Sequence, residues 1–87
     1  MSIDLEKSIR DAGFDPRTYV TTPRWIGSVI FKAGDLRQEG FQVGFEPISD
    51  NPHHGEVWGT FSKPKQRILS RICQWFVEIE NVSKEID

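Results

Sequence analysis

The chain lacks most of the features that place a protein at sight. It has one cysteine, Cys73, in 87 residues, which excludes an internal disulfide and every multi-cysteine metal site. Its longest uninterrupted apolar run is a few residues, far short of the ~20 needed to cross a bilayer. The opening MSIDLEKSIR is charged and has no apolar core of a secretion signal, so the expected compartment is cytoplasmic and no membrane partner is expected. Charge of one sign is missing as well: 11 Lys+Arg stand against 13 Asp+Glu, a net charge of −2, and bulk charge gives no reason to expect nucleic acid. With 7 Gly and 5 Pro the chain is not collagenous or of low complexity.

What is present suits one small folded domain. Apolar residues make up 37% of the chain, with 3 Trp and 6 Phe among them, enough for a single core. The expected organisation is one domain over 1–87, with an N-terminal helix and linker at 1–24, an α+β core at 25–82 and a tail at 83–87. Ser2 is placed to cap a first helix through Leu5 and Ile9, stopped by Gly13. Thr18 to Pro23 reads as an extended connection, because β-branched residues run into proline. Trp25 to Phe31 has the length and composition of a strand, and Lys32 to Glu39 of a two-turn helix stopped by Gly40.

Phe41 to Glu46 alternates with period two, placing Phe41, Val43 and Phe45 on one face and Gln42, Gly44 and Glu46 on the other. Turn formers fill Pro47 to Pro52, and His53 to Phe61 resumes as the second arm of an antiparallel hairpin. Ser62 and Pro64 open a final helix in which Ile68, Leu69, Ile72, Cys73, Trp75 and Phe76 recur at helical spacing. A last strand over Phe76 to Val82 competes with continued helix there. The predicted class is α+β: a small antiparallel sheet of three to four strands with helices on one face, in the split βαβ (ferredoxin-like) order, preceded by the N-terminal helix.

Chemistry concentrates in Asp50 to Gly59, which holds both histidines with two carboxylates, an amide and a tryptophan. Alternation sends His54, Glu56 and Trp58 to the face opposite Val57 and Phe61, near Gln42 and Gly44 across the hairpin. As a metal site, His54 and Glu56 at i,i+2 would need Asp50 as a third ligand, since the adjacent His53 points the other way. A nuclease Glu-x-Lys arm would require lysine where Trp58 stands. A metal-independent hydrolase of nucleic acid remains, with His54 as general base and Arg37 or the Lys63 to Arg71 group holding phosphate, Asp50 completing the constellation. The structural reading is that Asp50 and Asn51 close an Asx-type turn, Pro52 sets its exit and His54 donates to a loop carbonyl. Lys63 and Lys65 stand at a helix N-terminus, where the dipole disfavours cations and favours an anionic partner. A solvated helix face is the plainer account. Cys73 lies on the apolar stripe and reads as core rather than nucleophile.

From roughly Gly27 to Phe76 the chain resembles an uncharacterised small bacterial domain. The resemblance rests on Phe31-Lys32-Ala33-Gly34-Asp35-Leu36-Arg37, Gly40-Phe41-Gln42-Val43 and the turn Pro47-Ile48-Ser49-Asp50-Asn51-Pro52-His53-His54-Gly55, with a Pro-x-x-Asp-Asn-Pro-x-His motif. It implies Arg37, Asp50, Asn51, Pro52 and His54 as positions of interest, and a setting beside toxin, restriction or other conflict-type genes. Residues and resemblance together predict a small cytosolic binding or accessory module of such a system. Its recognition surface would be Asp50, Asn51, His54, Glu56 and Trp58, with Lys63 and Arg67 nearby. The expected partner is another protein, with nucleic acid as the alternative and self-association in addition; no metal or cofactor is expected. The rival reading is the hydrolase built on His54.

Overall fold

The computed structural model describes residues 1–84; the last three positions of the expected tail, 85–87, lie outside the described residues. The protein is an α+β chain with two antiparallel sheets. β3 (Gln42–Phe45) and β4 (His54–Trp58) form the hairpin that the alternating pattern predicts, in the register Gln42↔Trp58, Val43↔Val57, Gly44↔Glu56 and Phe45↔Gly55. The N-terminus departs from expectation. Ser2 does not cap a helix; Ser2–Asp4 is a strand, β1, paired with β4 as Ser2↔Glu56, Ile3↔Gly55 and Asp4↔His54. The Val57 amide also donates to the Met1 carbonyl at 2.9 Å, extending the ladder by one bond. Helix α1 (Glu6–Asp11) begins only after Leu5.

The stretch read as a linker contains a second short helix, α2 (Pro16–Val20). Asp15 accepts from the Thr18 amide and Pro16 fills the first turn, a cap and proline pairing that marks a helix start. Beyond it Trp25 and Ile26 are exposed, and β2 is confined to Ser28–Ile30. Helix α3 (Ala33–Gln38) stops at Gly40, whose φ of +87° is the left-handed conformation glycine adopts without steric cost. Helix α4 (Lys63–Ile72) starts as predicted, with Ser62 Oγ accepting from the Lys65 amide at 3.3 Å. It ends before the helical stripe does. Cys73 is extended, and Gln74–Val77 is strand β5, paired with β2 through Val29↔Trp75 and Ile30↔Gln74.

In a single split βαβ sheet, β2 would lie against the edge of β4 not used by β3. Here β1 holds that edge. The sheet order is therefore β1-β4-β3, with β2-β5 as a separate ribbon. Leu36, Phe41, Val57 and Leu69 form the buried cluster, joined by Ile3, Val43, Phe31 and Phe61, so α3 and α4 cover the Val57 face of the sheet. Phe45 shares that face but is 60% exposed. Its cross-strand partner is Gly55, which offers no side chain to pack against.

Candidate functional site

The turn that closes the hairpin is built around Asn51. Ile48 and Asn51 exchange backbone hydrogen bonds at 3.0 and 3.1 Å, and Asn51 Oδ1 accepts from the His53 amide at 3.1 Å, the Asx geometry expected of asparagine before proline. The same oxygen accepts from the Tyr19 hydroxyl at 2.6 Å, while Asn51 Nδ2 donates to Asp4. Asp50 is exposed at the tip. Of the two candidates for holding the turn, Asn51 therefore does so.

His53 points into the protein. Its Nδ1 lies 2.7 Å from Ser8 Oγ on α1, and its ring meets those of Tyr19 and Phe14 edge-on with centroids 5.2 and 6.3 Å away. The distance is that of a nucleophile and base, but His53 is only 7% exposed and no third group orients it from Nε2 among the described residues. The contact ties α1 to the hairpin.

His54 lies on the opposite face, as alternation requires. Its Nδ1 is 2.7 Å from the Glu46 carbonyl. A carbonyl can only accept, so Nδ1 carries a proton. The other ring nitrogen, Nε2, faces Glu56 Oε2 at 4.0 Å. The Glu56 carboxylate accepts from the Met1 ammonium at 2.6 Å, and that contact is the largest cause holding its carboxyl below the ordinary carboxylate range. Trp58 is 43% exposed and lies across Gly44, where a Cβ would stand 2.9 Å from its Cζ3. Glycine at 44 is what lets the indole lie down on the sheet.

The hydrolase constellation is not assembled. Arg37 belongs to α3, on the Val57 side of the sheet, and donates to the Val43 carbonyl at 3.3 Å. Asp50 is at the exposed turn, and the residue beside His54 is Glu46. Lys63 and Arg67 are exposed on α4, which packs on the Val57 face, whereas His54, Glu56 and Trp58 occupy the other. Lys65 is already committed, its Nζ reaching the Glu39 carbonyl at 2.6 Å and carboxylate at 3.3 Å.

One concavity was not foreseen. A cleft of about 570 Å³ separates the β1 edge of one sheet from the β2 edge of the other, bordered by Asp4, Val20, Trp25, Val29, His54 and Phe76. Its existence depends on β1 and β2 failing to pair, which no local signal encodes. Among the described residues no helix is long and apolar enough to cross a membrane. Comparison of the chain with family models, curated proteins and solved structures gave no match.

Proposed function

We propose that the chain is a binding module that accepts an extended segment of another protein in the cleft between its two sheets. The observation that carries this reading is that both strands bordering the cleft are edges: among the described residues β1 pairs only with β4, and β2 only with β5. Each leaves a row of backbone donors and acceptors that an added strand would satisfy. Ser28 borders the same cleft, and its buried hydroxyl has no hydrogen-bond partner among the described residues, a deficit that a bound backbone would remove.

Apolar anchoring is provided beside the edges. Trp25 and Ile26 are each 61% exposed, and large aromatic side chains at the rim of a groove are the usual centres of binding energy. Asp4 and Glu6 line the cleft beside the Met1 ammonium, and Glu6 is paired with Arg10, so a segment recognised by its backbone and apolar side chains fits best. An accessory role beside a conflict-type gene rests on the resemblance over roughly Gly27 to Phe76 alone.

The test is selection of linear peptides from a displayed library on the purified protein, followed by titration of a labelled peptide. Trp25→Ala should weaken binding by about 2 kcal/mol, and amide shifts should map to β1 and β2. Shifts confined to the Trp58 face, with Trp25→Ala binding normally, would move recognition to the polar sheet face. Cleavage of labelled RNA or DNA that is lost in His54→Ala would establish the hydrolase in its place.

A further inference from the structure

We propose that Glu46, His54 and Glu56 form a site for one divalent transition-metal ion of the zinc class. The three are brought to one face by the hairpin itself. His54 and Glu56 stand at i,i+2 on β4, and Glu46 continues the β3 register opposite His54, its amide donating to the His54 carbonyl at 3.0 Å. One ligand atom of each lies within 4.8 Å of the other two.

The second observation is the state of His54. It is only 9% exposed, and its Nδ1 proton is taken by the Glu46 carbonyl. That backbone bond is the outer-shell contact that orients a metal-ligating imidazole and sets its tautomer. Nε2 is left facing Glu56 Oε2 at 4.0 Å, beyond hydrogen-bond distance. That separation, in a half-buried site, leaves room for a cation between the two atoms.

Charge agrees. Glu46 and Glu56 supply two negative charges against the Met1 ammonium, which occupies Glu56 Oε1; Oε2 accepts from the Ser2 hydroxyl at 3.4 Å and stands 4.0 Å from the imidazole. Ligand atoms around a tetrahedral zinc stand ~3.3 Å apart for bonds of 2.0–2.1 Å. Reaching that from the present spacing asks for a small approach of Glu56 and a rotamer change of Glu46, whose side chain is exposed and free to swing. One imidazole with two carboxylates suits zinc or a neighbouring transition ion better than calcium or magnesium, which take oxygen-only shells.

The experiment titrates the whole chain with Zn²⁺ by calorimetry and with Co²⁺ by visible absorption, at neutral pH. One ion per chain is expected. Glu46→Gln and His54→Gln should each weaken binding at least tenfold, whereas Asp50→Asn and Trp25→Ala should leave it unchanged. Glu46 is exposed, so Glu46→Gln keeps the test decisive even if His54→Gln does not fold. No binding up to millimolar Zn²⁺, or binding indifferent to Glu46→Gln, overturns the site. His54 borders the peptide-binding cleft as well, so the two readings are separated by Glu46→Gln, which lies outside the cleft and should leave peptide binding unchanged, and by Trp25→Ala, which lies outside the metal cluster.

Discussion

The Tyr19 hydroxyl donates to Asn51 Oδ1 at 2.6 Å, joining α2 to the hairpin turn across 32 positions of chain. Burial, and then the Asp4 and Asp50 carboxylates, push the phenol up, so it stays a donor over the ordinary pH range. Because the same oxygen caps the His53 amide, Asn51→Ala removes bonds from two elements at once. We predict a loss of roughly 1–3 kcal/mol in unfolding free energy. Asp50→Ala, at the exposed tip, should change it by less than about 0.5 kcal/mol. Equal urea midpoints for Asn51→Ala and wild type would refute the role given to Asn51.

Leu69 is 0% exposed beneath the sheet, in one cluster with Leu36, Phe41 and Val57. Leu69→Ala should cost about 2–5 kcal/mol, a large share of the stability of so small a domain. Phe45→Ala should cost much less, since that ring is 60% exposed. Denaturation of both variants under one condition checks the order, and a larger loss for Phe45→Ala would place the core elsewhere.

Asp15 links the α2 cap to pH. The Thr18 hydroxyl donates to its carboxylate at 2.8 Å and the Thr18 amide at 3.3 Å, and the hydroxyl contact is the first cause of a carboxyl held below its ordinary 3.8. A folded-state value below the unfolded one stabilises the fold above the ordinary value, and the contribution is lost as pH falls through the folded value. The stability difference between wild type and Asp15→Asn should therefore shrink in the acid limb below 3.8. A difference that grows on acidification would contradict this assignment.

Cys73 is 1% exposed at the end of α4, and burial pushes its thiol up against a weaker opposing pull from Lys84. The thiolate is the reactive form. Labelling by a thiol reagent at neutral pH should therefore follow the unfolding rate and speed up with urea. Rapid stoichiometric labelling of the native protein would show the sulfur to be accessible.

Local pattern alone determined much of this chain. Period-two alternation over Phe41 to Glu46 and His54 to Trp58 is a property of the strand backbone, so the hairpin and the separation of His54, Glu56 and Trp58 from Val57 were legible before any contact was known. Ser62 with Pro64 and the glycine at 40 mark helix boundaries by hydrogen-bond satisfaction and φ, and Asp15-Pro16 carried the same kind of signal for α2.

Tertiary structure decided the rest, because strands of three or four residues have too little intrinsic preference to choose a state. Ser2–Asp4 is a strand only because β4 offers it an edge, and Gln74–Val77 leaves the helical stripe only because β2 does the same. The cleft follows from those two choices. The approach of Glu46 to His54 followed from alternation combined with the hairpin register, and loop length from Pro47 to Pro52 left that register open: a slip of one residue would have turned Glu46 to the core face and Phe45 to the imidazole.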